Sequence, residues 1–203
     1  MRLLLIRHGE TTWNRDGRYQ GHSDPPLSVH GEWQAQALAE ELASVEVASI
    51  IASPLMRAQA TAQVIAARLG LPVATDHRLM ELAYGEWEGL QQAAVKQKWP
   101  EQLRLWKRAP DQVTFPGGES LSDMRHRVRS FLECAAGQSG TMLAVTHDGF
   151  ARLAVLEARG EPLSAFREVR IENASITTYT EKNGRLVIAD INSVAHLLNS
   201  ASI

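Results

Sequence analysis

The clearest feature of the sequence is a set of short, unbroken apolar runs that each stop at polar residues. Leu3 to Ile6 forms one such run without polar alternation, which predicts a strand buried on both faces of a parallel sheet. Ala48 to Ala52 and Met142 to Val145 have the same character and predict two further buried strands. Two of these runs end within two residues of a histidine, His8 in the first case and His147 in the last.

Between the predicted strands, apolar residues recur at helical spacing after residues that can cap a helix. Ser28 is a candidate N-cap, and Ser53 with Pro54 is a helix-start signal because proline is tolerated in a first turn. Ser120 and Asp123 together resemble a capping box. The apolar positions that follow these three starts are Ala35, Leu38, Leu42 and Val45, then Ala58, Ala62, Ile65 and Leu69, then Leu121, Met124, Val128 and Phe131.

The order of these elements predicts the fold class. Strands that alternate with helices indicate an α/β fold, here a three-layer α/β/α sandwich around a mostly parallel central sheet. Ala174 to Thr180 and Arg185 to Asp190 predict a terminal hairpin, with the turn signal Asn183-Gly184 between them. We expect residues 1–203 to form a single domain with a small helical cap inserted at about 90–118. Ligands in such folds bind beyond the C-terminal ends of the strands, where the two histidines are expected.

Composition limits the classes of protein and partner. The chain of 203 residues, 44% hydrophobic and 22% charged, suits an ordinary globular domain. Its formal net charge of -2 gives no global attraction to nucleic acid or to an anionic membrane, so neither is expected as a partner. Cys134 is the only cysteine, which excludes an intramolecular disulfide, and we interpret it as a small core residue. The first apolar run is too short for a signal peptide or a membrane span, so we expect a cytoplasmic protein.

The residues around the first strand end predict phosphoryl chemistry. The first strand-to-helix turn carries neither a dinucleotide fingerprint nor a Walker phosphate loop. A neutral imidazole at His8 can attack phosphorus if its other ring nitrogen is held by an acceptor such as a backbone carbonyl. Arg7 and Arg57 are candidates for holding the phosphoryl group, because guanidinium groups bind phosphate oxygens in pairs and stay charged. Taken singly, an arginine is more often part of a surface ion pair than of an anion site.

A long motif at the N-terminus resembles the signature of the histidine phosphatase superfamily, which includes the cofactor-dependent phosphoglycerate mutases. The motif reads Leu5-Ile6-Arg7-His8-Gly9-Glu10-Thr11-Thr12-Trp13-Asn14. The likeness continues in order through Tyr19-Gln20-Gly21, Leu27-Ser28, Ser53 to Ala62, Glu81 to Gly89, Pro116 to Ser120 and Val145-Thr146-His147. The resemblance therefore covers essentially the whole chain.

The resemblance implies a role for each matching residue. The implied catalytic set is His8, Glu81, Arg7, Arg57 and His147, and the implied substrate-binding loop contains Asn14, Gln20 and Gly21. His8 would carry the phosphoryl group, while the other histidine and the two arginines hold it. Glu81 would donate a proton to the leaving oxygen and then activate water, which requires a pKa close to the working pH. Neither a metal nor a cofactor is expected, because the cations are side chains.

Several carboxylates near these motifs have competing interpretations. The family spacing selects Glu81 as the acid, whereas Glu86 and Glu88 are interpreted as solvated or as acceptors for loop amides near two glycines. Glu119 is a candidate for contacting polar groups of the substrate. Asp148 is interpreted as the cap of the helix that follows His147, with a substrate contact as the alternative.

Three functions are compatible with this pattern. The segment Tyr84 to Gly89 resembles the phosphatase branch of the family, so the preferred prediction is hydrolysis of a small phosphate ester. A phosphoglycerate mutase is the first alternative, and a non-catalytic module that binds phosphate esters is the alternative from another class. The sequence leaves the physiological substrate open, and it is compatible with a homo-oligomer.

Overall fold

The computed structural model describes residues 1–199 and has a six-stranded sheet flanked by helices. The strands are β1 (Arg2–Arg7), β2 (Ser49–Ala52), β3 (Val73–Thr75), β4 (Thr141–Thr146), β5 (Ile176–Lys182) and β6 (Arg185–Ser193). The α-helices are α1 (Thr12–Arg15), α2 (Val29–Leu42), α3 (Met56–Leu69), α4 (Gln92–Lys98), α5 (Pro100–Arg108), α6 (Leu121–Ala136), α7 (Asp148–Arg159) and α8 (Ala195–Asn199). Short 3-10 helices cover His77–Leu79, Gly85–Trp87, Pro110–Gln112 and Leu163–Arg167.

The sheet has the strand order β3-β2-β4-β1-β5-β6. Its first four strands are parallel, and β5 and β6 add an antiparallel edge to β1. The fold prediction of an α/β protein with a mostly parallel sheet is therefore confirmed. The predicted single domain extends to residue 203, and its last four residues lie outside the part of the chain that the structure describes.

Both faces of the sheet are buried, which explains the unbroken apolar runs. Successive residues of β1 point to opposite sides, so Leu3 and Leu5 enter one hydrophobic cluster while Leu4 and Ile6 enter the other. The apolar faces of α2 and α3 cover the second cluster, and those of α6 and α7 cover the first. These two helical layers make the three-layer sandwich.

The segment predicted as a cap is helical and is packed against the first cluster. It contains α4 and α5, and its side chains Val95, Leu103, Trp106 and Phe115 are buried. The two tryptophans of this segment differ, because Trp106 is buried while Trp99 is only partly buried against the cluster. Most of this aromatic surface therefore stabilises the core, and the cap role of residues 90–118 stays a prediction.

Two of the three predicted helix starts are confirmed. The Ser28 hydroxyl accepts from the amide of Gly31 ahead of α2, and Ser120 and Asp123 form a reciprocal capping box ahead of α6. The predicted start at Ser53-Pro54 is wrong, because α3 begins at Met56 with Leu55 as an N-cap that makes no side-chain bond. The Asp24 carboxylate reaches across from another loop and accepts from the amide of Met56 at 2.8 Å instead.

Two smaller predictions had opposite outcomes. The terminal hairpin is confirmed, with Asn183 and Gly184 both at positive φ (53° and 76°), as a two-residue turn with left-handed central residues requires. The core position of Cys134 is wrong, because its side chain is exposed on α6. Its neighbours Phe131 and Ala135 take the buried face of that helix.

Among residues 1–199, no helix is both long enough and apolar enough to cross a membrane.

Candidate active site

His8 lies directly after β1, where the chain leaves the sheet. Its Nδ1 is 2.6 Å from the carbonyl oxygen of Gly9, and because a carbonyl only accepts, Nδ1 carries the proton. Nε2 is then left with its lone pair, which is the form a nucleophile needs. The side chain is 1% exposed, and burial, followed by the charges of Arg57 and Arg7, holds the pKa of His8 well below its ordinary value. His8 is therefore neutral at physiological pH.

The second histidine is brought beside the first by parallel strand pairing. β1 and β4 pair with Arg7 opposite Thr146, so the next residue of each strand is a histidine at the same edge. The rings of His8 and His147 lie 5.1 Å apart between centroids in an edge-to-face arrangement. His147 is fully buried, and burial and the charge of Arg57 also lower its pKa.

Ser53 fixes the orientation of His147. The Ser53 hydroxyl accepts from the amide of Leu55 at 3.3 Å and lies 2.8 Å from Nε2 of the imidazole. A hydroxyl can both donate and accept, so the tautomer of His147 decides which group donates in this contact, and Nδ1 is the other ring nitrogen. That Nδ1 is buried and has no hydrogen-bond partner in the described part of the chain, so it is available to a ligand.

Two guanidinium groups face this histidine pair, and each has one carboxylate at ion-pair distance, with Asp24 3.7 Å from Arg57 and Asp148 3.6 Å from Arg7. Arg57, in the first turn of α3, is fully buried and donates to the carbonyls of Gly21 and Ser23 at 2.7 and 2.8 Å. Arg7 donates to the carbonyl of Ile171 at 2.6 Å. Within residues 1–199, the Nε atoms of both arginines are buried and have no partner. Buried N–H donors without acceptors are costly, which indicates a site for an anion.

Glu81 lies in an irregular segment between two 3-10 helices. Its Oε1 accepts from its neighbour Leu82 at 2.8 Å and from Gly149, in the first turn of α7, at 3.0 Å. The side chain is 6% exposed. Burial, followed by the negative charge of Asp148, raises the pKa of Glu81, while the Leu82 amide and Arg57 oppose this shift. A raised pKa is what a carboxylic acid needs to donate a proton near neutral pH.

Helix α1 and the loop that follows it support the site through backbone and side chains. Asn14 completes a capping box with Thr11, and Gln20 accepts from the hydroxyl of Thr11 at 2.8 Å. Gly21 has φ 54° and holds Arg57 through its carbonyl. The Glu88 carboxylate accepts from two amides of this loop, those of His22 and Ser23. The expectation that Glu88 accepts from loop amides is therefore met by the loop of His22 and Ser23, and not by amides near Gly85 and Gly89. Glu86 is exposed, as the solvated interpretation predicts.

The structure places Glu119 and Asp148 on protein partners. Oε1 of Glu119 accepts from the amide of Ala83 at 2.9 Å and pairs with Arg127 at 2.6 Å. The prediction that Asp148 caps α7 is wrong, because the N-cap is His147 and Asp148 is already the first helical residue. Its carboxylate instead lies 2.9 Å from Nε of Arg152, one turn along, and 3.6 Å from Arg7. Its closeness to Arg7 places it at the edge of the anion site.

Sequence reasoning missed several residues that support the site. Ser53 was assigned to a helix start, and Arg127 carried no signal that distinguishes it from other arginines of α6. Asn173 donates to the carbonyl of His8 at 3.2 Å and to Oδ1 of Asn14 at 3.3 Å, although it is 165 positions from His8 in the chain. No local sequence pattern predicts contacts between residues so far apart in the chain.

In the described residues, no group of three or more His, Cys, Asp or Glu side chains is placed to hold a metal ion.

Comparison with known proteins agrees with this fold and identifies its family. The family model of the histidine phosphatase superfamily (branch 1) matches residues 3–194, so the chain belongs to this superfamily. It is 38% identical over 199 residues to "Phosphoserine phosphatase 1" of Hydrogenobacter thermophilus, across 97% of this chain and 94% of that protein. It is 35% identical over 179 residues to "Probable phosphoglycerate mutase GpmB" of Salmonella choleraesuis, across 87% of this chain and 83% of that protein.

A solved structure extends the agreement to three dimensions. The mycobacterial glucosyl-3-phosphoglycerate phosphatase in complex with VO3 has a TM-score of 0.85 at 31% identity, covering 95% of this chain and 98% of that chain. The predicted family and the predicted enzyme class, a phosphatase of the histidine phosphatase type, are therefore confirmed.

Proposed function

We propose that the protein hydrolyses small phosphate monoesters by carrying the phosphoryl group transiently on His8. One observation carries the proposal: a neutral His8 with its Nε2 free lies beside the buried Nε–H donors of Arg7 and Arg57, which have no acceptor, and beside the unpartnered Nδ1 of His147. A phosphoryl group supplies the missing acceptors and the electrophile together. The guanidinium groups balance the charge on its equatorial oxygens as the bond to the leaving oxygen breaks.

The reaction proceeds in two displacements at phosphorus. In the first, Nε2 of His8 forms a bond to phosphorus while the ester P–O bond breaks, and protonated Glu81 gives its proton to the departing alcohol. In the second, the Glu81 carboxylate takes a proton from water, whose oxygen attacks phosphorus while the N–P bond breaks. The products are the alcohol and inorganic phosphate, and both side chains return to their starting states.

The same intermediate can transfer its phosphoryl group to a second substrate oxygen instead of to water. The relative named as a phosphoglycerate mutase keeps this second candidate open. Hydrolysis is preferred on the Tyr84-to-Gly89 resemblance to the phosphatase branch. A non-catalytic binding module is the least favoured candidate, because its anion site would need no neutral nucleophile and no buried acid.

Metal independence belongs to the same proposal. The positive charges that face the nucleophile are Arg7 and Arg57, so the phosphoryl charge is balanced by side chains. A small-molecule phosphate ester is the proposed substrate class. Two of the relatives above are named as phosphatases of such esters, phosphoserine and glucosyl-3-phosphoglycerate. A cytoplasmic location is also part of the proposal, supported by the single cysteine, which is typical of a reducing compartment.

The decisive experiment measures phosphate release from a panel of monoesters with EDTA present. The panel contains phosphoserine, 3-phosphoglycerate, alkyl phosphates and p-nitrophenyl phosphate. Wild type is compared with His8→Ala and with His126→Ala, whose histidine is exposed on α6 and serves as a matched control. Release that His8→Ala abolishes and His126→Ala retains supports the proposal.

Three other outcomes would contradict it. Activity that disappears with EDTA and returns with a divalent cation would contradict metal independence. Interconversion of 3- and 2-phosphoglycerate in the presence of 2,3-bisphosphoglycerate, without phosphate release, would identify a mutase. Tight phosphate binding without turnover of any ester would indicate the binding module.

A further inference from the structure

The segment that carries Glu81 has no regular secondary structure to hold it. Residues 80–84 form neither helix nor strand, and they connect the 3-10 helices at His77–Leu79 and Gly85–Trp87. A general acid must keep its oxygen within a few tenths of an ångström of the productive position, because small misplacements are costly in rate. The backbone around Glu81 therefore needs support from outside the segment.

A single guanidinium group on α6 supplies three of the hydrogen bonds that hold this backbone. Nη1 of Arg127 donates to the carbonyl of Arg78 at 2.9 Å and to that of Met80, and Nη2 donates to the carbonyl of Glu81 at 2.9 Å. The carbonyl of Glu81 also accepts from Nε2 of His22 at 2.9 Å. The planar, rigid arrangement of guanidinium donors fixes three carbonyls relative to one another, which a lysine ammonium on a flexible stem does not do.

Glu119 holds the guanidinium group of Arg127 in place and also binds the backbone beyond Glu81. Its Oε1 accepts from Nη2 of Arg127 at 2.6 Å and from the amide of Ala83 at 2.9 Å. The carboxylate thus ties the guanidinium group to the residue two positions beyond Glu81. Both side chains of the pair are 19% exposed, so water has limited access to their hydrogen bonds. The ion pair and the segment form one connected network on both sides of the acid.

We propose that Arg127, held by Glu119, is a positioning residue for Glu81: its hydrogen bonds to the carbonyls of Arg78, Met80 and Glu81 keep the Glu81 carboxylate against the amides of Leu82 and Gly149. The inference rests on the proposed role of Glu81 as general acid. Arg127 acts on the leaving-group step through the backbone, and it leaves phosphoryl binding to Arg7 and Arg57.

The test compares Arg127→Met with Arg125→Met. Arg125 lies on the same helix and is also ion-paired, but it binds Glu157 and the carbonyl of Glu161 instead. For Arg127→Met we expect kcat on an alkyl phosphate to fall about 10- to 100-fold, with a much smaller loss on p-nitrophenyl phosphate, whose leaving group needs no proton. KM should change little, and Arg125→Met should behave as wild type on both substrates.

Further variants separate the possible causes of a loss. Arg127→Lys keeps the charge and removes the guanidinium geometry, so it should restore only part of the alkyl phosphate activity. In a Glu81→Gln background, Arg127→Met should cause little further loss, because the group it positions is already gone. If Arg127→Met does not fold, Glu119→Gln replaces it as the test. Glutamine keeps an oxygen that accepts from the Ala83 amide but removes the ion pair with Arg127. Glu119→Gln should therefore show the same difference between the two substrates, with a smaller loss of kcat.

The outcomes distinguish this inference from the proposed function. If Glu81→Gln itself reduces turnover equally for both leaving groups, the acid role of Glu81 fails, and the inference fails with it. If Glu81→Gln shows the leaving-group pattern but Arg127→Met reduces both substrates equally or leaves both unchanged, only the positioning role is overturned. Full activity of Arg127→Lys would also overturn it, because charge alone would then suffice.

Discussion

Gly149 lies where a methyl group would displace the proposed acid. A Cβ added there would be 2.5 Å from Oε1 of Glu81, whereas ordinary van der Waals contact begins at 3.4 Å. The carboxylate oxygen must therefore retreat by about 0.9 Å, the difference between these two distances. The same Cβ would make only ordinary contacts, at 3.5 Å, with Leu82 and Met124. Gly149→Ala should therefore displace the Glu81 side chain and leave the packing of the core nearly unchanged.

The expected cost in rate follows from this displacement. The hydrogen bond from the Gly149 amide to Oε1 of Glu81 is 3.0 Å long, and it breaks when the oxygen retreats. A misplacement of about 1 Å at a catalytic group costs on the order of 100-fold in rate. This corresponds to about 2.7 kcal/mol of activation free energy. We expect kcat for an alkyl phosphate to fall by about this factor, and kcat for p-nitrophenyl phosphate to fall only a few-fold.

The assay is steady-state phosphate release on both substrates, with Gly137→Ala as the control. Gly137 follows α6 with φ -78°, and a Cβ there would meet only the carbonyl of Cys134 at 3.6 Å. Alanine is a better helix former than glycine, so the fold should tolerate both changes. If Gly149→Ala folds and retains wild-type turnover of the alkyl phosphate, the position of the Glu81 carboxylate does not limit the reaction.

Three further predictions address the histidine pair and the frame. Ser53→Ala should lower kcat about 10-fold by releasing the His147 ring from its orientation without changing the fold, and unchanged kinetics would show that Ser53 does not orient the ring. Ser120→Ala should cost about 1 kcal/mol of unfolding free energy in urea titrations, while the exposed Ser122→Ala should not, and equal effects would contradict the cap. Because the pKa of His8 is lowered in the fold, the unfolded chain binds more protons, so the associated stability is present above about pH 6.5 and is lost as pH falls. Thermal unfolding of His8→Gln should therefore depend less on pH between about 7 and 5 than that of wild type, and parallel curves would refute the shift.

The sequence by itself determined much of the frame. The apolar run Leu3 to Ile6 predicted a strand buried on both faces, and β1 contributes to both hydrophobic clusters. Ser28 and the Ser120-Asp123 pair marked two helix starts, because capping bonds join residues three apart and depend little on the rest of the fold. The two histidines could be placed at one edge because parallel strands bring their C-terminal ends together.

Only the tertiary structure decided which partners the buried polar groups take. Ser53 was expected to cap α3, but His147, directly after β4, lies beside its hydroxyl, and the Asp24 carboxylate accepts from the first amide of that helix instead. Asp148 was expected to cap α7, but Arg7 and Arg152 lie within its reach. Periodicity and capping act between residues close in sequence and can be recognised locally. The partners of a buried charge or hydroxyl are set by which distant segments the packed sheet and helices bring together.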